Sequence, residues 1–401
     1  MQRRTNNTAL LLISFVIIYS IMPIVSRLTS RYATTYSYML IVLLLYLMTM
    51  AQSLNTYVSI LLPMIFYEAL TFFINKDTLV MWGYRVLTFL LPIILGYYLL
   101  YENPTRNRTN AKLLILCLVV TAITTIIGIR QYPSAARYLA TVASPDEPLA
   151  VLYNMRNIGG YDFVYTLVLL YPLLICAYKK RRINLLTAIV GSAGILALTI
   201  ISEYTTALLL WMVTSVLFFM KRDLRKKDVI VLLIVSVIVL VLFYTVFSGL
   251  LLSLSEVIKS KDISERLISL AGGRTGLENA EDNRIWLYRA SINTFFSNPI
   301  LGTFLSGGRG TGGHSAILDM VAQYGLLGIF LMFHMYKRIY RYFFEPFRDD
   351  EGFGYYYWLL LQAILLSTVN TGFWFQILAF YAPLLFLRIQ EKEGVSIEGN
   401  L

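Results

Sequence analysis

The sequence predicts an all-α integral membrane protein, a polytopic bundle of about twelve transmembrane helices with a large, partly helical extracytoplasmic loop. Hydrophobic residues make up 57% of the 401 residues, whereas charged residues make up only 14%. Predominantly apolar runs of about 18 residues or more recur, and each is long enough to cross ~30 Å of hydrocarbon as a helix. These runs lack the polar face that a soluble helix exposes to water. Without an internal repeat or a soluble segment, residues 1–401 are expected to form one membrane domain.

The apolar runs place the expected helices in order along the chain. The first run follows Arg3 and Arg4, as in a signal peptide, but no small-residue cleavage site follows it. We therefore expect this segment to be retained as a helix. The expected membrane spans are 8–26, 36–53, 56–74, 79–100, 111–129, 161–178, 184–201, 204–220, 228–247, 315–336, 355–370 and 372–388.

Clusters of lysine and arginine predict the orientation of these spans. All of them fall on the same side of the membrane if the spans are correct, and so do both termini. The positive-inside rule makes that side the cytoplasm. The net charge of +11 is therefore interpreted as a topology signal and not as a sign of nucleic-acid binding. The clusters lie at 106–112, 179–182, 221–227 and 337–341.

The two cysteines, Cys117 and Cys176, lie inside apolar runs. Their positions argue against a disulfide framework, and no cysteine or histidine spacing indicates a zinc site. We expect neither a metal ion nor another cofactor.

Two of the expected extracytoplasmic loops are long, 130–160 and 248–314. Helical bundles usually join their helices through about two to eight residues, and longer loops are typically functional or disordered. Both loops contain aromatic and apolar residues at helical spacing, so we expect them to be partly ordered. The second loop contains most of the one long polar stretch in this hydrophobic chain.

The polar stretch 282–328 carries the features that point to a function. It opens with Asp-Asn-Arg-Ile-Trp-Leu-Tyr-Arg, where Asp282 is expected to cap a short helix that ends at Asn298-Pro299. Trp286 is expected to anchor this helix at the membrane interface. The motif Asn-Pro-Ile-Leu-Gly is followed by a glycine-rich loop and then by His314 at the start of a span. The stretch ends with Gly-Leu-Leu-Gly.

This ordered pattern resembles the signature of the O-antigen polymerase and ligase superfamily, the Wzy and WaaL type proteins. The resemblance implies a GT-C-like helical fold in the bacterial cytoplasmic membrane. It also implies donor and acceptor oligosaccharides carried on undecaprenyl pyrophosphate, with a chain-length regulator and a flippase as partners. Arg284, at the start of the short helix, and His314 occupy the positions of functionally important residues in this superfamily. Gln323 departs from the pattern, because many relatives have a glutamate near this place.

An excess of arginine on the expected outer side predicts a site for the pyrophosphate. A guanidinium presents a planar fork that matches phosphate oxygens. Simple solvation, or contact with anionic lipid headgroups, is the alternative for each arginine. Asp162 follows a segment that looks like the Arg/Asn-x-x-Gly entry of capsule polymerases, and it is equally a helix-capping residue. The candidate substrate-binding residues are Arg156, Arg266, Arg274, Arg289, Arg309 and Asp162.

His314, Arg284, Glu203 and Asp319 are the candidate catalytic residues. His314 has the side-chain chemistry to accept a proton from a sugar hydroxyl near neutral pH. Asp319 lies five residues further on, so a carboxylate–histidine pair is possible. Glu203 interrupts two apolar runs, where a carboxylate is expensive and often functional. It can equally be the polar tip of a tight hairpin.

Three functions are consistent with these features. The leading hypothesis is a metal-independent glycosyltransferase that polymerises lipid-linked oligosaccharide repeat units for capsule, exopolysaccharide or O-antigen. A ligase that transfers a finished glycan to another acceptor is the first alternative. A lipid-linked oligosaccharide flippase or transporter is the second, although transporters usually keep their polar residues near the membrane midplane.

Overall fold

The computed structural model describes residues 18, 21–31, 54–75, 79–102, 107–141, 147–219, 231, 234, 253, 280–304 and 311–391. Across these residues every regular element is a helix and none is a strand, which confirms the all-helical prediction there. Three helices are long and apolar enough to cross a membrane, namely Asn55–Phe73, Asn107–Gln131 and Tyr161–Lys179. The expected span 36–53 and nearly all of 228–247 lie outside the described residues, so the total of twelve spans stays a prediction.

The helices of the first half are α1 (Pro23–Arg31), α2 (Leu54–Asn75), α3 (Leu79–Tyr97), α4 (Asn107–Gln131), α5 (Ala135–Thr141), α6 (Pro148–Met155), α7 (Tyr161–Lys179), α8 (Leu185–Ile201) and α9 (Thr205–Phe219). Those of the second half are α10 (Ala280–Ser297), α11 (Ala316–Tyr324), α12 (Leu326–Ile339), α13 (Phe353–Val369) and α14 (Ala382–Gln390). Single π-helical turns follow α3 and α12 and precede α14, at Tyr98–Glu102, Tyr340–Phe344 and Ile377–Tyr381.

The described connections between the helices are grouped here into two ends of the bundle. One end, here called the loop end, comprises residues 131–141, 147–160, 202–204, 298–304, 311–315 and 370–374. Hydrogen bonds across it join the Tyr204 hydroxyl to the Ala136 carbonyl (2.7 Å) and the Ala316 amide to the Asn370 carbonyl (2.8 Å). Of the predicted site residues that the structure describes, four lie in these connections or within two residues of them, namely Arg156, Asp162, Glu203 and His314. Asp319 lies one turn into α11, and Arg284 and Arg289 lie further back in α10.

The opposite end of the bundle, here called the basic end, collects the lysine and arginine clusters. Lys180 pairs with Glu351 at 2.6 Å, and the Arg182 guanidinium donates to the Ile389 carbonyl at 2.8 Å. The π-helical turn after α3 contacts the π-helical turn after α12, because the Tyr101 hydroxyl donates to the Tyr342 carbonyl. The clusters at 179–182 and 337–341 therefore share one end, as the sequence predicts, and cluster 221–227 lies outside the described residues.

The core of the bundle is rich in aromatic rings. Tyr356 stacks on Phe386 with ring centroids 4.6 Å apart, and on Phe344 at 4.1 Å. Many apolar side chains instead lie on the outer surface, such as Phe219 at 84% exposure and Leu186 at 70%. A soluble protein rarely exposes so much apolar surface. Together with the length of α2, α4 and α7, this surface indicates a protein whose outside contacts lipid.

Two sequence predictions about the polar stretch are corrected by the structure. The span expected at 315–336 is not one helix, because Gly325 has φ +60° and separates α11 from α12. The helix expected to begin near Arg284 begins at Ala280, so Asp282 lies in its first turns and does not cap it from outside. Its predicted end at Asn298-Pro299 is confirmed, since α10 ends at Ser297.

We expect Gly325→Ala to lower the free energy of unfolding by roughly 2 kcal/mol or more, because an L residue there adopts a backbone conformation that is almost restricted to glycine. A Cβ atom would also lie 2.5 Å from the Pro299 carbonyl oxygen. Thermal unfolding of the purified protein in detergent measures the change. Gly194→Ala is the matched control, because no atom lies within 4 Å of the added Cβ. Equal stability of the two variants would contradict the assigned role of Gly325.

Candidate functional site

The Asn-Pro-Ile-Leu-Gly turn and the break between α11 and α12 form one interlocked unit. The Thr303 amide donates to the Ala322 carbonyl at 3.1 Å, and the Leu326 amide donates to the Pro299 carbonyl at 2.8 Å. A Cβ on Gly302 would lie 2.3 Å from the Ala322 oxygen, and a Cβ on Gly325 would lie 2.5 Å from the Pro299 oxygen. Two motifs that are separate in sequence are thus held together backbone to backbone, and their glycines are required by that contact.

Asp319 is the centre of a second connection between the polar segments. Its Oδ1 accepts a hydrogen bond from the Ser291 hydroxyl at 2.5 Å, and its Oδ2 accepts one from the Ser315 amide at 3.0 Å. Ser315 in turn caps α11, because its Oγ accepts from the Leu318 amide at 3.0 Å. Such reciprocal bonding is similar to a capping box. Both oxygens of the carboxylate thus have donors other than the expected His314 ring.

His314 lies at the loop end between Gly313, with φ +71°, and the cap residue Ser315. Its side chain is exposed, whereas Ser315 is buried. The residue therefore stands on a fixed helix start with its imidazole accessible from outside the bundle. His334, the other histidine, contacts its own helix α12, where its Nδ1 lies 2.8 Å from the Phe330 carbonyl oxygen.

Helix α10 presents two different faces. Ser291 is 1% exposed, and the Tyr288 hydroxyl donates to the Val369 carbonyl at 2.9 Å, so this face contacts the bundle. On the other face Arg289 is exposed, together with the large apolar side chains of Trp286 (64%) and Phe296 (73%). The backbone position of Arg284 shares the inner face, because residues four and seven apart lie on one side of a helix.

Arg156 is held in place at the loop end by an aromatic ring and an amide oxygen, and it forms no ion pair with an acidic residue of the described part of the chain. Its guanidinium lies over the Tyr132 ring at 5.0 Å from the centroid, and its Nη1 donates to Gln131 Oε1 at 2.9 Å. The next residue, Asn157, is buried with φ +55° and donates to Thr124 Oγ1 at 3.0 Å. Because one stacking contact and one hydrogen bond leave further N–H groups available, the exposed guanidinium can bind an anion.

Asp162 and Glu203 both lie near Tyr204. Asp162 is exposed in the first turn of α7, and Glu203 is half-buried in the turn between α8 and α9. Burial raises the pKa of Tyr204 well above its usual range; Tyr165, Asp162 and Glu203 act in the same direction, and Arg137 acts against them. Glu203 has φ +58°, so the turn at the tip of the hairpin is confirmed as its position. Whether its carboxylate also has a chemical role stays a prediction.

An aromatic cluster that the sequence did not single out joins these regions. Trp374 packs against Tyr161 and Tyr165, with centroids 6.2 and 5.9 Å apart, and Tyr161 also contacts Tyr204. Trp374 lies in the turn 370–374, whose Asn370 carbonyl accepts from the start of α11. This turn therefore contacts both the Asp162–Glu203 region and the His314–Asp319 region. In the sequence, the run Gly-Phe-Trp-Phe shortly after Asn370 was the signal that could have indicated this cluster.

Backbone strain is concentrated at the same end. Among the described residues four that are not glycine have positive φ, and three of them, Asn157, Glu203 and Trp374, lie at the loop end. Such conformations persist where surrounding contacts enforce them, and they cluster at functional sites. This distribution selects the loop end over the basic end as the candidate site.

Glu68 is a further candidate that sequence reasoning missed. It is a carboxylate inside the apolar helix α2, and its exposed fraction is only 8%. Ionisable side chains within a membrane span are usually functional. In the sequence, Glu68 is the one charged residue of the expected span 56–74, and this was the signal that could have identified it.

The remaining predicted residues are not placed. Arg266, Arg274 and Arg309 lie outside the described residues, and only the backbone of Arg284 is described. A cluster of five outer arginines thus stays a prediction, with Arg156 and Arg289 as its described members. Within the described part of the chain, no group of three or more His, Cys, Asp and Glu residues is arranged to hold a metal ion.

No family model, no curated protein and no solved structure matches this chain. The function is therefore argued from the geometry of the loop end and from the resemblance of the polar stretch.

We expect Glu203→Gly to be at least as stable as the wild type, because glycine adopts the positive φ of this turn without steric strain. Glu203→Val should lower the free energy of unfolding by roughly 1–2 kcal/mol, since left-handed backbone is costly for a side chain and most costly for a branched one. Thermal unfolding in detergent compares the two variants. Strong destabilisation by glycine would mean that the carboxylate itself holds the hairpin.

Proposed function

We propose that this protein is a polysaccharide polymerase that joins undecaprenyl-pyrophosphate-linked oligosaccharide repeat units at the outer face of the bacterial cytoplasmic membrane. The observation that carries the proposal is the interlock at the loop end. The Asn-Pro-Ile-Leu-Gly turn, the end of the glycine-rich loop, His314 and the Gly-Leu-Leu-Gly break are the ordered parts of the resemblance. In this fold they form one unit at one end of an apolar bundle, with His314 exposed.

The sidedness of the site follows from the two ends of the bundle. The basic end carries the clusters at 179–182 and 337–341, and the positive-inside rule assigns it to the cytoplasm. The loop end then faces outward, where lipid-linked repeat units are polymerised. Both chain termini are cytoplasmic in this proposal.

The proposed reaction is a glycosyl transfer with the lipid carrier as leaving group. A hydroxyl of the acceptor oligosaccharide attacks the anomeric carbon of the donor, and the bond from that carbon to the pyrophosphate oxygen breaks. The electron pair leaves with undecaprenyl pyrophosphate, and His314 accepts the proton of the hydroxyl. Arginines stabilise the charge that develops on the pyrophosphate, with Arg156, Arg284 and Arg289 as candidates. The scheme includes no metal ion or other cofactor.

The carboxylates of the loop end have different proposed roles. Asp162 is exposed and is available to a sugar hydroxyl, and Glu203 also lies near Tyr204. Asp319 already accepts two hydrogen bonds from the protein, so we assign it to the support of the site.

A ligase of the same superfamily would use the same outer site but a second kind of acceptor. A flippase is favoured by one observation only, the buried Glu68 within α2. Transporters bind their substrates near the midplane, on interrupted helices. Here three of the four described non-glycine residues with positive φ lie at the loop end, beside the exposed His314 and Arg156, so polymerisation is the better-supported function.

The decisive experiment supplies a synthetic undecaprenyl-pyrophosphate-linked repeat unit to the purified protein in liposomes. A ladder of products on a gel is expected for a polymerase. A single transfer that requires a second acceptor would indicate a ligase. Movement of the substrate between leaflets without a covalent product would indicate a flippase and would exclude the proposal.

For sidedness, we expect a cysteine at Asn293 to react with an impermeant thiol reagent in intact cells, and a cysteine at Asp349 to react only after the membrane is opened. Both positions are exposed, and they lie near the loop end and the basic end. The parent protein is the control, because Cys117 and Cys176 are both buried. Labelling of Asp349→Cys in intact cells would show that the orientation is the opposite one and that the site is not on the outer face.

For catalysis, we expect His314→Ala and His314→Gln each to lower the initial rate on the order of 10²-fold, because neither replacement can accept the hydroxyl proton. His334→Ala should keep nearly the wild-type rate, since the contacts of His334 in the described structure are with Phe330 and Phe333 of its own helix. Rates are measured on purified variants with the synthetic repeat unit. A fully active His314→Gln enzyme would replace the proton-transfer role by a hydrogen-bonding one, and a fully active His314→Ala enzyme would exclude both.

A further inference from the structure

We infer that Ser291 is a positioning residue, which fixes the backbone on both sides of His314 through a hydrogen-bonded pair with Asp319. This inference rests on the proposed function, because it assigns the pair to the support of the proposed proton acceptor. Ser291 belongs to α10, far from His314 in sequence, and it was not among the residues that the sequence selected.

The geometry determines the direction of each hydrogen bond. The Ser291 hydroxyl has one hydrogen, and its oxygen lies 2.5 Å from Asp319 Oδ1. A carboxylate oxygen is an acceptor, so the hydroxyl donates to the carboxylate. Its lone pairs are then free to accept, and the Gly312 amide donates to them at 2.8 Å. The chain of donors therefore runs from the Gly312 amide through Ser291 to Asp319.

The same carboxylate also holds the other side of His314. Asp319 Oδ2 accepts from the Ser315 amide at 3.0 Å. Gly312 lies two residues before His314, and Ser315 lies directly after it. Both amides are thus bound by one Ser291–Asp319 pair, and the short segment that carries the imidazole is fixed at two points.

The loop can approach α10 this closely only because of glycine. A Cβ on Gly312 would lie 2.2 Å from the Leu287 carbonyl oxygen, and Leu287 is one helical turn before Ser291. Backbone contact and side-chain hydrogen bond therefore fix the same point of the loop. Ser291 itself is 1% exposed, so loss of its hydroxyl leaves the half-buried Gly312 amide without this acceptor.

A simple capping role for Asp319 does not require Ser291. The Ser315 cap and the bond from Oδ2 to the Ser315 amide would complete the start of α11 without any contact to α10. The bond to Ser291 adds α10 and Gly312 to this arrangement. What it adds is a fixed position for the residues around His314 relative to the helix that carries Arg284 and Arg289.

The test uses Ser291→Ala and Ser291→Cys in the full-length purified protein, with Ser297→Ala as the matched control on the exposed end of the same helix. Hydrogen exchange measured by mass spectrometry reports on the peptide that contains Gly312 and Ser315, with no need for activity. Loss of one net hydrogen bond should speed exchange at Gly312 roughly fivefold in Ser291→Ala. Ser291→Cys should lie between, because a thiol is a weaker donor and acceptor. Ser297→Ala should show no change.

Steady-state kinetics with the synthetic repeat unit then separates positioning from general stability. We expect Ser291→Ala to lower kcat roughly tenfold or more with KM changed less than about twofold, because a misplaced base slows the chemical step and leaves substrate binding intact. Unchanged exchange at Gly312 would overturn the hydrogen-bonded pair. Faster exchange with unchanged kcat would overturn the positioning role. If the wild type forms no polymer, the proposed function fails, and the exchange result still decides whether Ser291 and Asp319 hold the loop.

Discussion

Two contacts between glycines and carbonyl oxygens, Gly302 with Ala322 and Gly325 with Pro299, hold the loop end together, and the rest of the candidate site depends on them. Each contact is too close for a side chain. Through these two contacts the turn after α10 packs directly on the break between α11 and α12. The start of α11 is thereby fixed relative to α10, which is the geometry that the bonds from Ser291 to Asp319 and Gly312 need. The position of His314 therefore depends on the backbone conformation at Gly302 and Gly325.

The candidate site lies at the end of the bundle that contains strained backbone and buried polar side chains. Trp374 and Glu203 adopt positive φ, and Ser291 and Asn157 are buried polar residues whose side chains bond to neighbouring segments. In an apolar bundle each of these features is costly unless its partners are well placed. Their concentration at one end means that the same contacts that stabilise the loop end also determine where its exposed residues stand.

Much of this fold is predictable because the membrane restricts it. Helix α7 follows from an apolar run of sufficient length, and α10 ends where Asn-Pro removes the next helical turn. The break at Gly325 was not predictable from hydropathy, because the residues around it are apolar and the Pro299 carbonyl that accepts from Leu326 is distant in sequence. Asp319 was paired with His314 on sequence proximity, whereas its hydroxyl donor, Ser291, belongs to another helix. Sequence separation hides such a partner, and only the packing of α10 on α11 reveals it.

The position of turn 370–374 has a consequence for how the protein matures. This turn contacts α7 through Trp374 and the start of α11 through Asn370, so it joins the two halves of the loop end. It is also the last of these parts to be synthesised, because it connects α13 to α14. During translation the earlier helices can enter the bilayer in order, but this junction cannot form before the α13–α14 hairpin is inserted. Assembly of the loop end is therefore coupled to insertion of that hairpin, and a chain stalled before α14 lacks the junction.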